Sequence, residues 1–367
     1  MIKVLQVGAT NVLGGIEIFL HNYYKNIDRS KVEFDFVNMY DKICFQEEYE
    51  ANGSRVYNLP NYRIHPFKYL KQLKKILKDG KYDVLHFNMN SAIFLYPLMA
   101  AKKANVPVII AHSHNASSDK GIIKNILHDL IKHFIPLFAN YFFACSDYAG
   151  KWFFSNKVMK SDSFYIINNA INVEEFKFNE AKRIQVRKNL NIKDDEILIG
   201  HVGRFIKQKN HEFLIEIFNQ IVTTNKEFKL VLIGVGDLKK EIEKKVQNEG
   251  IEKNVIFLGQ RNDTKDLYQA IDIFLLPSLY EGLPLVGIEA QVAGCKCFFS
   301  DKITKELKIK SDSEFLKIRD SKEWARKIID YSKKMSNKRE KIDYSQYDIK
   351  TNSKKLCEFY ETSLERK

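Results

Sequence analysis

Two acids eight positions apart, Glu281 and Glu289, lie in the stretch SLYEGLPLVGIEAQVAG (278–294). Their neighbours are apolar, and a carboxylate buried there without partners is costly. Glu289 therefore calls for a cation or for the hydroxyls of a ligand. Glu281 precedes a helix start, where the macrodipole favours an anion by about 0.3–1 kcal/mol. Pro284 suits the first helical position. Leu285 and Val286 then open the helix with N–H groups that have no intrahelical acceptor and can receive a phosphate. From there to Glu289 is one turn, about 5 Å. Such a helix could hold a diphosphate at its start, with one acid beside a sugar and the other beside a ribose. A capping acid and a salt bridge would explain the same residues in purely structural terms.

Three further groups have chemical potential. Arg204 and Lys209 lie in GHVGRFIKQKNHEF (200–213), just past a strand. Arginine grips phosphate through two parallel N–H groups and lysine acts as a point charge, so the two could clamp a diphosphate. Each charged hydrogen bond contributes roughly 1.5–3 kcal/mol. Lys207 reads as surface. Gly14 and Gly15 stand between a strand and a helix, where glycine lets backbone approach a ligand and the helix start offers free N–H groups. The full G-x-G-x-x-G spacing is absent, so this is not a nicotinamide-dinucleotide fingerprint. His112 and His114, in AHSHN (111–115), also fall at a strand's end.

The elements that would position these residues alternate regularly. KVLQVGA (3–9), VEFDFVNM (32–39), YDVLHFN (82–88), VPVIIAHSH (106–114) and YFFACS (141–146) read as strands separated by helical patterns. The pattern restarts with EILIGHVGR (196–204), KLVLIGVG (229–236), NVIFLG (254–259), IDIFLLPS (271–278) and GCKCFFS (294–300). Strand–helix alternation implies an α/β chain: two Rossmann-like, doubly wound parallel-sheet domains with a cleft between them. In such sheets ligands bind beyond the carboxyl ends of the strands, which is where the unusual residues fall. The polar segment 168–195 marks the junction. We divide the chain into a first domain (1–170), a second domain (171–345) and a C-terminal helix (346–367) packing back toward the first.

Composition narrows the partners. The 367 residues carry a formal net charge of +13, which suits an anionic partner, although the lysines are spread at helical spacing over what reads as solvated surface. No aromatic-basic module supports nucleic-acid binding. The five scattered cysteines do not form a disulfide framework, and Cys295-Lys-Cys297 has no second pair to make a zinc site. No apolar run reaches the roughly 20 residues that span a bilayer, and there is no signal segment. A cytoplasmic protein is expected. Within 120–143, Ile123, Ile126, Leu127, Leu130, Ile131 and Phe134 form one stripe, either a core-facing helix or a contact with an anionic membrane.

YEGLPLVGIEA resembles the E-x7-E motif of retaining glycosyltransferases of family 4, which have the GT-B fold. GRFIKQKN is similar to that family's phosphate loop and GGIEIFL to its first glycine loop. LVLIGVGDLKKEIEK and NVIFLGQRNDTKDLYQAIDIFLLPSLYEG resemble the intervening segments in order, and capsular and extracellular polysaccharide transferases look most alike. The resemblance implies a hexosyl transfer from a nucleotide-diphosphate sugar, expected to be a UDP-sugar, to a saccharide or polyprenyl-linked saccharide acceptor. It implies that Glu289 meets the ribose, Glu281 the transferred sugar, and Arg204 and Lys209 the departing diphosphate. Gly15, with Gly14 beside it, would admit the β-phosphate, and the backbone near Arg261 and Asn262 would meet the base. A first-domain histidine belongs near the anomeric centre, either His112 or His114, with His114 preferred because it lies farther past the strand. No cofactor and no metal are expected. Acceptor-side loops should fall near 40–65 and 112–125. IINNAINVEEF departs from a frequent proline-glycine hinge, and Gly287 should cost its helix about 1 kcal/mol relative to alanine. The alternative is a nucleotide-sugar epimerase on a GT-B-like scaffold, against which the glutamate pair argues.

Overall fold

A computed structural model describes residues 1–116, 121–335 and 343–366. It resolves into two compact units, Met1–Ile171 with Ser345–Lys367, and Asn172–Tyr344. Each is built on one parallel sheet.

In the first unit, seven strands run in the order β3-β2-β1-β4-β5-β6-β7. They are β1 (Ile2–Val7), β2 (Val32–Asn38), β3 (Val56–Asn58), β4 (Val84–Met89), β5 (Val108–Ser113), β6 (Tyr141–Ala144) and β7 (Phe164–Ile166). β4 and β5 are buried along their whole length, as expected of central parallel strands covered by helices on both faces. The same two strands carry His86, Asn88, His112 and Ser113 into that interior. The helix Ile349–Glu365 returns to this unit. Its Leu356, Cys357, Phe359 and Tyr360 join the core that Phe19, Leu20 and Tyr23 of the helix Gly15–Asn26 form with β1 and β2. A short bridge between Ile171 and Asp348 ties its entry to the unit.

The second unit has six strands in the order β10-β9-β8-β11-β12-β13. They are β8 (Ile197–Val202), β9 (Phe228–Ile233), β10 (Val255–Gly259), β11 (Ile273–Leu276), β12 (Lys296–Ser300) and β13 (Glu314–Leu316). Phe213, Leu214, Ile217 and Phe218 of the helix His211–Thr224 pack with Trp324 against β8, β9 and β11.

Several details differ from the sequence expectation. The three-residue strands β3, β7 and β13 were not anticipated, because a run that short shows no periodicity. The charged segment 168–195 contains the helix Glu180–Asn189, held by a buried ion cluster. Arg183 and Arg187 donate to the Asp272 carboxylate at 2.6 and 3.1 Å, and the Leu198 amide donates to it at 2.8 Å. Pro284 is the residue before the helix Leu285–Val292 rather than its first, with ψ at 115° outside the helical range. The stripe within 120–143 is not a core helix. It divides into the helix Ile122–Ile131 and a 3-10 segment, Lys132–Leu137, containing Pro136. Ile122, Ile123, Ile126, Leu127, Leu130, Phe134 and Leu137 are all exposed. The expected acceptor loop 112–125 lies partly on residues 117–120, outside the described residues.

Candidate active site

The second unit joins two of the charged residues that the sequence separates, Lys209 and Glu281. Lys209 Nζ lies 2.6 Å from Glu281 Oε1, with both side chains largely buried. The two loops that carry them are stitched together. Gln208 O accepts from the Leu279 amide at 2.8 Å, Gln208 Nε2 donates to Tyr280 O at 2.9 Å, and Asn210 Nδ2 donates to Pro277 O at 3.2 Å. The lysine stem runs past Gly203, where an added Cβ would meet Lys209 Cδ at 3.2 Å. Gly203 is itself pressed by Gly234, whose φ of +144° and 2.1 Å clearance from Gly203 O leave no room for any other residue.

Glu289 sits one turn into the helix Leu285–Val292, where the notional partners were a cation or a ligand. Within the chain a hydroxyl reaches it: Tyr268 Oη donates to Glu289 Oε2 at 2.8 Å and lies 3.3 Å from Val286 O. Desolvation pushes the Glu289 carboxyl up to about 7, opposed by the Tyr268 hydrogen bond and the Lys209 charge. Tyr268 was missed. The signal was a tyrosine on the buried face of a short helix, whose hydroxyl needs a partner. Pro284 supplies no side-chain cap, so the Leu285 and Val286 amides open the helix uncapped. Gly287 has a packing reason: an added Cβ would meet Leu307 Cδ2 at 2.8 Å.

Flanking the loop 203–210 are two buried imidazoles, His201 and His211. His201 Nδ1 donates to Leu275 O at 2.8 Å, and His211 stacks on Phe205. Burial holds them at about 4 and about 2, so both stay neutral. Arg204 is exposed. Arg261 is also exposed and grips Asp263 through two hydrogen bonds of 2.8 and 2.6 Å, and Asn262 is exposed beside it.

In the first unit, the loop after β1 is closed by Glu17, a buried acid that sequence reasoning passed over. Its Oε1 accepts from the Thr10 amide at 3.0 Å and from Thr10 Oγ1 at 2.8 Å. Gly14 is extended and precedes the helix, and an added Cβ on Gly15 would meet nothing within 4 Å, so space remains open at the helix start. Gly8, at φ +114°, lies so close to β4 that a Cβ would stand 2.2 Å from Asn88 O. At the end of β5, His112 is fully buried, whereas His114, one residue past the strand, is partly exposed. Their rings lie 4.0 Å apart, and Phe19 packs edge-on against both. Burial holds His114 at about 3 and His112 well below its ordinary value. Both are therefore neutral donors or acceptors, not cations.

Among the described residues no cluster of three His, Cys, Asp or Glu side chains could hold a metal ion, and no helix is long and apolar enough to cross a membrane.

Two family profiles match successive parts of the chain: "Glycosyltransferase Family 4" over residues 13–175 and "Glycosyl transferases group 1" over residues 182–348. The putative glycosyltransferase EpsF of Bacillus subtilis is 33% identical over 83% of this chain and 80% of its own length. This chain belongs to the family 4 glycosyltransferases. The glycosyltransferase is also 28% identical, over 65% of its length and 62% of the relative's, to an Escherichia coli enzyme. That enzyme is the UDP-Gal:α-D-GlcNAc-diphosphoundecaprenol α-1,3-galactosyltransferase. The crystal structure of Anabaena HepE in complex with UDP superposes with a TM-score of 0.76 at 18% identity, covering 100% of this chain and 98% of that one. The shared fold is GT-B. The chain is thus a glycosyltransferase (EC 2.4), and nothing in these comparisons supports the epimerase alternative.

Proposed function

We propose that this glycosyltransferase moves a sugar from a UDP-sugar, with retention of configuration, to a polyprenyl-linked saccharide during cell-surface polysaccharide synthesis. The observation that carries this is the Lys209–Glu281 pair beside the uncapped start of the Glu289 helix. Lysine has three N–H donors, and Glu281 takes one, so Lys209 can bridge that acid and the departing diphosphate. Arg204 and the Leu285 and Val286 amides supply further positive ends where leaving-group charge develops. Glu289, aligned by Tyr268, is placed to accept from ribose hydroxyls, and Glu281 meets the transferred sugar. Retention rests on the family resemblance. The UDP donor and lipid-linked acceptor are supported by what the E. coli relative uses and by the UDP bound to HepE. We expect no metal requirement, so turnover should persist in a chelator.

The test is turnover of UDP-, GDP- and dTDP-sugars with and without a lipid-diphosphate saccharide, the product's anomeric configuration being read by NMR. UDP-sugars should be consumed. Glu281→Ala and Arg204→Ala should each abolish slow donor hydrolysis, and full activity in both would remove the site.

A lipid-linked acceptor also fits a cytoplasmic enzyme resting on the inner face of the cell membrane. The exposed apolar face of 122–137 supports this, with Ile123 83% exposed. Ala92 N donates to His128 Nδ1 of that helix at 3.0 Å, and Phe94 of the same loop packs at a tilt against Tyr62 and under Arg63. Next to it begins the helix Pro66–Asp79, with Phe67 85% exposed and with exposed Lys68, Lys71, Lys75 and Lys78. An apolar band beside a lysine row suits an anionic bilayer. The chain should float with phosphatidylglycerol vesicles and not with phosphatidylcholine. Ile123→Ser/Leu130→Ser should abolish flotation while leaving the melting temperature unchanged. Failure of the native chain to bind anionic vesicles at physiological salt would refute the location.

A further inference from the structure

The end of the chain reaches into the histidine cluster of the first unit. His86 Nδ1 lies 2.8 Å from Tyr360 Oη, and His86 Nε2 lies 3.0 Å from His112 Nδ1. His114 Nε2 lies 2.9 Å from Asn88 Oδ1. Gln6, Asn88, His86, His112 and Tyr360 are all buried.

One backbone carbonyl orients the whole set. Asn88 Nδ2 faces Val7 O at 3.2 Å, and a carbonyl only accepts, so the amide nitrogen must point there. That turns Asn88 Oδ1 to His114, whose Nε2 must then carry the proton. Asn88 Nδ2 also donates to Gln6 Oε1 at 3.0 Å, which leaves the Gln6 amide nitrogen to donate to the Tyr360 oxygen. Tyr360 then spends its own proton on His86 Nδ1. His86 consequently carries its proton on Nε2 and gives it to His112 Nδ1, so His112 holds its proton on Nε2. Among the described residues that nitrogen has no partner.

We propose that Tyr360 is a positioning residue for the His112–His114 pair: its hydroxyl, fixed between Gln6 and His86, decides which ring nitrogen of His86 and of His112 carries the proton. This rests on the placement of that pair at the reacting sugar. Without the hydroxyl, His86 can hold its proton on either nitrogen, and the donor that His112 presents at Nε2 becomes an acceptor in part of the population. His114 remains set by Asn88.

Imidazole 15N NMR of the full chain tests this directly. The native protein should show His86, His112 and His114 each as a single Nε2–H tautomer. In Tyr360→Phe, which keeps the ring, His86 and His112 should become mixtures while His114 is unchanged. The kcat for transfer should fall about tenfold, the worth of one hydrogen bond, with the donor KM changed less than about twofold. Tyr82→Phe deletes another buried hydroxyl, bonded to Asp35 before β4 begins, and should lower the melting temperature while leaving kcat alone. Tyr360→Phe combined with His112→Ala should be no slower than His112→Ala by itself. Unchanged His86 and His112 signals in Tyr360→Phe, or additive losses in the double variant, would overturn the proposal. Full activity of both His112→Ala and His114→Ala, with tautomers shifting as described, would instead strike the placement of the pair at the sugar while upholding the hydroxyl's control of the rings.

Discussion

Lowering the pH from about 8 to about 6 should weaken binding of a UDP-sugar about tenfold. The Glu289 carboxyl titrates near 7, because burial outweighs the help of Tyr268 and Lys209. If ribose hydroxyls donate to the carboxylate, only the ionised form binds well. The apparent Kd then scales with the fraction ionised, close to one at pH 8 and about a tenth at pH 6. Other nearby groups do not interfere. His201 and His211 stay neutral across this window, and a sugar-esterified diphosphate has no proton to lose there. Isothermal titration calorimetry at about pH 6, 7 and 8 reads the effect, with net proton release on binding as a second readout. Glu289→Gln should bind weakly and show no slope. The same group has an opposite signature in stability. A folded value raised above the unfolded one means that the folded state holds the proton more tightly. Stability therefore falls as pH rises from about 4.5 to about 7, by up to about 3 kcal/mol, and Glu289→Gln should remove that fall. A wild-type affinity that is flat with pH, or a slope retained in Glu289→Gln, would refute the assignment of Glu289 to the ribose.

Other perturbations test the scaffold. Gly234→Ala places a Cβ 2.1 Å from Gly203 O at φ +144° and should destabilise the second unit by more than about 2 kcal/mol, seen as an earlier transition in scanning calorimetry. Gly287→Ala gains helix propensity of about 1 kcal/mol but meets Leu307, so it should destabilise on its own and become neutral or favourable with Leu307→Ala, relative to that variant. Asp272→Asn leaves Arg183 and Arg187 without their shared counter-charge and should cost about 3–5 kcal/mol in urea denaturation.

The candidate residues of the second unit could be proposed from the sequence because Arg204, Lys209 and Glu281 lie in the loops that follow β8 and β11, and Glu289 in the helix after the second of these. Arg204, Lys209, Glu281 and Glu289 could be picked out from charge in apolar or turn contexts. What could not be read was which of them touch. Lys209 and Glu281 are 72 positions apart, and their pairing depends on Gln208 bonding across to Leu279 and Tyr280. Tyr268 was hidden for a related reason, since its ring belongs to a buried helix face and only its hydroxyl reaches Glu289. In the first unit, the two histidines could be placed at a strand end. His86 and Tyr360, 274 positions apart, meet only through strand order and the return of the last helix. The apolar stripe within 120–143 was ambiguous because periodicity reports amphipathicity and is silent on whether protein covers the face.

The return of the helix Ile349–Glu365 also orders events in time. During synthesis the whole of Asn172–Tyr344 leaves the ribosome before the segment that finishes the first unit's core. The middle of the chain can therefore fold early, while the beginning waits for its last partner. A chain halted before Ser345 should contain one finished half and one that exposes Phe34, Tyr141 and Phe143 to chaperones and proteases. Quality control of this enzyme would then act mainly on its amino-terminal half.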